Sequence, residues 1–482
     1  MLPGERKKKP APLLNAIEAL CAQASQGADP RNAARITEHV LAQLVCMGTH
    51  TVTGLINARG RQFEDWSADY RLYSHSRAVP AQLFAPVLRW LCARQDGPIV
   101  MAMDDTLLRK TGKKTHGVKY MRDPLGPPFR VNLVRAQRFV QISAACPGKD
   151  GQARMIPVDW THAPLPQKPK AKASQAQWEQ YHETKKQSCC SAAGARRIRH
   201  IRAWLDENGA SGRPLWMSVD GAYTNGTVLK ALPHDTTLVG RIRADAKRYF
   251  LPDQQHQNGR PRSYGESAPT PEQVRKDPKI PWKKVRVYFG GKKRSVRVKQ
   301  ITPLRWRAAG EEHVLQLLAV APTPYRLTKN AKCLYRKPAY LICTDPNTPV
   351  ARVLQYYLWR WDIEVNFRDE KTILGVGDAQ VRTPGAVQNL TGCAVAAYAI
   401  LLAAAEQCQD SNNKCLHLPP PKWQPQKTQR PTTNNLIRNL RYELWADAIH
   451  FSGFAIKNPP NKKQEKRKPT LDSALFYASQ FS

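Results

Sequence analysis

YLWRWDIEVNFRDEK, residues 357–371, is the segment around which the rest of the chain is organised. As one helix, at roughly 100° per residue, Tyr357, Arg360, Glu364 and Lys371 fall within an arc of roughly 60°. A phenol, a guanidinium, a carboxylate and an ammonium then project from one face. Leu358, Trp361, Ile363, Val365 and Phe367 take most of the remainder. A surface helix shows a broad polar face opposite an apolar stripe. Here the polar stripe is narrow and ordered, as expected of a helix lining a cleft. The alternative at this point is a partly buried helix whose charges pair along its own surface.

Working outward, the chain has 482 residues, long enough for about two to four structural units. Hydrophobic residues make up 41%, which supplies a sizeable core. Lys and Arg number 75 against 38 Asp and Glu, a formal net charge of +37. An excess of that size concentrates phosphate polymers and releases counterions on binding. Basic residues recur in every segment, which favours DNA or RNA over a basic solubility tail. The eleven cysteines show no CxxC pair. With no signal-peptide apolar region at the N-terminus, they read as reduced thiols of a cytosolic protein. The Ala-rich run 392–405 is too short to span a bilayer comfortably and reads as a buried helix.

Composition divides the chain into five stretches. Residues 1–95 read as a basic arm followed by helices, with helical spacing at Leu13, Ile17 and Leu20 and again at Ile36, Val40 and Leu44. This N-terminal helical domain is a candidate DNA binder, the competing reading being a plain support bundle. Residues 96–235 hold two apolar strand-length runs, PIVMAM (98–103) and LWMSV (215–219), each followed by acid: Asp104-Asp105 and Asp220. Acids at the carboxyl ends of buried strands sit where α/β folds place chemistry; the competing reading is a turn-capping Asp. A Lys/Pro/Gln-rich insert at 163–200 has no readable role. Residues 236–345 are β-rich, and Lys283, Lys284, Arg286, Lys292, Lys293, Arg294, Arg297 and Lys299 crowd two of their strands without an acid. Such a sheet suits a duplex backbone, or else is an edge made soluble by charge. Residues 346–405 hold the opening helix and the Ala-rich one. Residues 406–482 form a C-terminal region expected to be partly disordered, with a helix near 434–450.

Phosphodiester cleavage needs an activated water or hydroxyl and a stabilised leaving oxygen, which two divalent ions held by carboxylates supply. Asp104, Asp220 and Glu364, two at strand ends and one on a helix, meet that requirement. Arg360 and Lys371 flank Glu364 and are placed to grip phosphate. Tyr357 could hydrogen-bond phosphate or stack. Trp359 and Trp361 are either core or platforms for an unpaired base. The twelve His show no metal-ligand spacing, and no GxxxxGK[ST] loop occurs.

The pattern Y-x2-R-x3-E-x6-K at Tyr357, Arg360, Glu364 and Lys371 resembles the Y-R-E-K signature of DDE transposases of bacterial insertion sequences. DDT at 104–106 and DGAY at 220–223 resemble that group's first and second Asp regions. The resemblance covers about 50–410. It implies an α/β fold: an RNase H-like catalytic core (96–235 and 346–405) interrupted by a β-rich insertion (236–345). It implies metal-dependent DNA cleavage at terminal inverted repeats and strand transfer into target DNA. Asp104, Asp220 and Glu364 would be catalytic and hold two Mg or Mn ions. Tyr357, Arg360 and Lys371 would bind the transposon-end DNA. The group's pattern places the first ligand at Asp104, with Asp105 turned to the opposite side of its strand. The partners implied are double-stranded DNA and a second copy of the chain in the DNA complex, with no membrane, in the nucleoid-associated cytoplasm of a bacterial-type cell. The alternative is a repurposed, non-catalytic DNA-binding protein.

Overall fold

The computed structural model describes residues 11–123, 132–148, 151–252, 262–328, 330–411 and 430–445. The expected N-terminal arm (1–10) and the tail beyond 445 lie outside them.

Five helices open the described chain: α1 (Pro12–Ala24), α2 (Pro30–Val45), α3 (Val52–Ala58), α4 (Ser67–Ser74) and α5 (Pro80–Arg94). Three of them begin with proline, whose fixed φ and missing N–H suit the first turn. Asp29 caps α2, its carboxylate accepting from the Arg31 and Asn32 amides at 3.0 and 3.3 Å. Leu13, Ile17, Leu20, Ile36, Val40 and Leu44, the residues with helical spacing, are buried.

The strands follow: β1 (Ile99–Arg109), β2 (Lys119–Arg122), β3 (Leu133–Pro147) and β4 (Ala153–His162), then helices α6 (Gln175–Ser188) and α7 (Cys190–Glu207), and β5 (Leu215–Val219). Next come α8 (Gly226–Leu229), β6 (Thr236–Arg241), the short β7 (Arg248–Tyr249) and β8 (Ser267–Ala268), and α9 (Pro271–Lys276). The long strands β9 (Lys283–Phe289), β10 (Lys292–Trp306) and β11 (Gly310–Val320) precede a two-stranded ribbon, β12 (Pro324–Tyr325) with β13 (Leu334–Tyr335), and then β14 (Ala339–Cys343). Helices α10 (Val350–Trp359), α11 (Asp362–Thr372), α12 (Pro384–Asp410) and α13 (Thr433–Trp445) complete the described chain.

All strands but the ribbon join one mixed sheet, ordered β2-β3-β1-β5-β6-β14-β11-β10-β7-β8, with β4 also on β3 and β9 also on β10. β1 runs antiparallel to β3 but parallel to β5, and β5 parallel to β6. Residues 236–343 therefore extend the same sheet. β5 is buried on both sides, as its run LWMSV, apolar except for Ser218, requires. The two faces carry different cores. Met101, Met103, Met217 and Val219 face the larger one, Ala102, Trp216 and Val239 the smaller. α7 packs on the first face, its Gly194 leaving no room for a Cβ against Met103 and Tyr223. α10 packs on the second through Val353 and Leu354.

The Ala-rich run belongs to a helix longer than the run itself. α12 has 27 residues and is long and apolar enough to cross a membrane by composition, but 94% of its apolar window is buried inside the protein. It is a core helix, gathering α1, α2, α4, α5 and β4 around it.

Residues 357–371 do not form one helix. α10 ends at Trp359, α11 starts at Asp362, and Arg360-Trp361 form a turn between them. The Arg360, Trp361, Ile363 and Glu364 amides each bond three residues back, at 3.0–3.3 Å, a tightened 3₁₀ step. Both turn residues keep right-handed helical angles, so the two helices follow one another with a local overwinding.

Candidate active site

β1, β5 and β6 are neighbours in register. Ala102 pairs with Ser218 and Ser218 with Val239, so the next side chains on that face are Asp104, Asp220 and Arg241. Strand alternation puts all three on the face covered by α10. Asp105 takes the other face, where the Tyr223 hydroxyl donates to it at 3.0 Å and Arg138 lies 3.5 Å away. β1 continues past Asp104 to Arg109, paired only with β3. The acids thus mark the end of the parallel pairing rather than the end of the strand.

α10 is pinned over this edge. Ser218 Oγ donates to the Tyr356 carbonyl at 3.2 Å, and Trp216 meets the Tyr356 ring edge-on at 5.1 Å. On its far side Gln355 bonds both the N–H and the C=O of Tyr288 in β9, at 2.7 and 3.0 Å. The turn that follows aims Arg360 at the acids. Its Nη1 lies 2.8 Å from Asp104 Oδ2 and its Nη2 3.7 Å from Glu364 Oε1. The Arg360 side chain is 11% exposed and sits 5.6 Å from the Tyr357 ring centroid.

Asp220 is close enough to both Asp104 and Glu364 to act on their charge. Burial pushes the Asp104 carboxyl up to about 7; Arg360 opposes the shift and Asp220 adds to it. Burial likewise raises Glu364, again opposed by Arg360 and reinforced by Asp220. Burial also raises the Tyr357 phenol, against the pull of Arg360 and Arg241. Desolvation lowers Lys371, which neighbours Glu370, Arg109 and Asp123. Lys371 is seven residues beyond Glu364, about 10 Å along the helix axis, so it stands apart from the acids.

Among the described residues, no three His, Cys, Asp or Glu side chains converge tightly enough to hold a metal ion. Both Asp104 oxygens are engaged: Oδ1 accepts from the Asp105 N–H at 2.8 Å, and Oδ2 holds Arg360. Asp220 Oδ1 accepts from the Ala222 N–H at 2.9 Å. Three hard carboxylates suit Mg or Mn as a donor set. The positive charge among them in this structure is Arg360.

The two tryptophans part company. Trp359 packs on Tyr356 at 5.2 Å and donates to the Gly151 carbonyl at 3.3 Å, whereas Trp361 is 60% exposed. Among the basic strand residues, Lys284, Arg286, Lys293 and Arg297 share the solvent face of the β9–β10 hairpin. The other face buries Val287, Val296 and Val298 in the smaller core. Lys299 leaves the expected set: it is buried, donates to the Asp277 carbonyl at 2.5 Å and lies 4.8 Å from the Trp282 ring.

Sequence reasoning missed Arg241, because only strand register lines it up with the acids. It also missed the Arg360–Asp104 ion pair, which joins residues 256 positions apart.

The sequence profile of the DDE superfamily endonuclease family matches residues 28–311, more than half of the chain. The chain belongs to that family, whose members act on DNA and generally use divalent metals. The match includes Asp104 and Asp220 and ends before α10. No curated protein matches the chain.

Proposed function

We propose that the chain is a transposase that cuts DNA at the terminal inverted repeats of an insertion sequence and joins the freed end to target DNA. One observation carries this reading: Asp104, Asp220 and Glu364, from three separate elements, face one another around Arg360 at the end of the parallel strands. The sheet supports an RNase H-like core, with β4, β3 and β1 antiparallel and β5 and β6 parallel to β1.

The three carboxylates would hold two Mg or Mn ions. Bound there, the ions activate the attacking oxygen and stabilise the leaving one. Arg360 and Arg241 stand beside the acids and grip the phosphates around the scissile bond, Arg360 in the forked geometry that matches phosphate. Tyr357 fixes the Arg360 fork from behind. Lys371, farther along α11, holds the backbone of the same strand. Trp361 offers an exposed face to an unstacked base. The β9–β10 hairpin packs beside α10 through its apolar face, and its outward, cation-rich face takes the duplex leading into the site. Two ends are paired by two copies of the chain.

The rival, a repurposed protein that binds DNA without cutting it, has one observation in its favour: the acids are bridged by an arginine rather than gathered for a metal. Glu364→Gln separates the two readings. It should leave DNA binding intact and cut Mg- or Mn-dependent nicking of a terminal-repeat substrate by about a thousandfold. That size follows from several kcal/mol of metal stabilisation at roughly 1.4 kcal/mol per tenfold. Undiminished nicking removes Glu364 from the mechanism; no nicking by the unmodified protein favours the rival.

A further inference from the structure

Glu370 lies on α11, six residues after Glu364, and is 1% exposed. Neither of its carboxylate oxygens has a hydrogen-bond partner. Beside it is the amide of Gln141, a fully buried residue of β3. Gln141 donates one of its two N–H to Ser143 Oγ at 3.1 Å, and its carbonyl Oε1 is also without a partner. Three buried acceptor oxygens therefore stand together, with the second N–H of the Gln141 amide as the donor beside them. Buried acceptors are not left unpaired without a substantial penalty. One proton resolves the conflict: a carboxylic acid at Glu370 donates to Gln141 Oε1 and removes a buried charge in the same step.

The place of this contact matters. Gln141 is the cross-strand partner of Asp104, and directly opposed residues share a face. The Glu370–Gln141 contact thus ties the helix bearing Glu364 to the sheet position facing Asp104. One turn earlier Asn366 makes a second tie, donating to the Met155 carbonyl at 2.8 Å.

We propose that Glu370 is carried as a neutral carboxylic acid and is a positioning residue, clamping α11 to β3 through Gln141 so that Glu364 is held in reach of Asp104. The importance of that reach rests on the transposase reading; the clamp itself does not.

The surroundings agree. Burial pushes the Glu370 carboxyl up to about 8; Gln141 and Lys371 oppose this, and Asp369 reinforces it. Tyr398, facing from α12, is a further ionisable neighbour. Asp369 is itself engaged by the Thr433 hydroxyl at 2.7 Å. The folded chain keeps the Glu370 proton up to about 8, whereas the unfolded chain releases it near 4.5. The stability this proton supplies is complete below the lower value and is lost as pH rises toward the upper one.

The test compares the full-length wild type with Glu370→Gln and Glu370→Ala. At neutral pH the wild type should show a protonated-carboxyl C=O band in its infrared difference spectrum against Glu370→Gln. Its thermal midpoint should fall more steeply between pH 5 and 8 than that of Glu370→Gln, whose amide can donate to Gln141 at every pH. Hydrogen exchange of the α11 amides should quicken in Glu370→Ala and stay slow in Glu370→Gln. Single-turnover nicking should follow: unchanged in Glu370→Gln, and down by as much as about a hundredfold in Glu370→Ala, the scale of a misplaced catalytic group, with DNA affinity unchanged. If Glu370→Ala does not fold, Gln141→Leu is measured for the same losses. A missing infrared band with parallel pH slopes overturns the neutral acid; unaltered α11 exchange in Glu370→Ala overturns the clamp. These readouts require no DNA cleavage, so they stand even if the chain nicks nothing.

Discussion

Arg360 keeps its guanidinium 2.8 Å from Asp104 and 3.7 Å from Glu364, so it offsets part of the negative charge of these two acids. Removing Arg360 strands a buried carboxylate, a loss worth roughly 1–3 kcal/mol at a partly buried site. Arg360→Ala should therefore lower the thermal midpoint. Asp104→Asn combined with Arg360→Ala should lose less than the two single changes added together, because the pair is coupled. Strict additivity would show the ion pair to be incidental. At this scale the sequence was informative about residue types: phenol, guanidinium, carboxylate and ammonium were legible from spacing along residues 357–371. The partners were not. Nothing local says that Arg360 meets Asp104, that Asp105 turns to Tyr223, or that Arg241 completes the row, because strand register and long-range packing set all three.

The β9–β10 hairpin shows what one element does with its two faces. Alternation sends Val287, Val296 and Val298 inward against α10 and leaves Lys284, Arg286, Lys293 and Arg297 outward. If those four cations each neutralise a phosphate, replacing all four by Ala should flatten the dependence of log Kd on log salt by up to about 3.6, at roughly 0.9 per phosphate contact. Fluorescence anisotropy with duplex DNA at several salt concentrations measures this, and an unchanged slope would take the hairpin off the DNA path. Alternation was readable along these strands, but the burial of Lys299, on the same face as Arg297, was not, since it depends on Trp282 and the Asp277 carbonyl. The opening stretch was misread as one continuous helix for a related reason. Every residue from 357 to 371 is compatible with helix, and the overwound turn at Arg360-Trp361 follows from the docking of α10 on β5 and β9 and of α11 on β3 and β4, not from any local breaker.

Across the whole molecule, 116 residues separate Asp104 from Asp220 (220 − 104) and 144 separate Asp220 from Glu364 (364 − 220). One continuous sheet brings the strands together, and the buried α12 gathers the N-terminal helices and β4 into the same core. The alternation of strands and helices and the apolar run of α12 could be read in advance. The single sheet running through residues 236–343 could not, because pairing partners are chosen by topology. On the proposed function, three distant acids share divalent cations at a scissile phosphate once Arg360 has let go of Asp104. Anomalous scattering from Mn in crystals of the protein bound to a DNA end tests this directly. Mn should be ligated by Asp104, Asp220 and Glu364, with Arg360 moved onto a DNA phosphate. Mn bound elsewhere, with the Arg360–Asp104 pair intact against DNA, would contradict it.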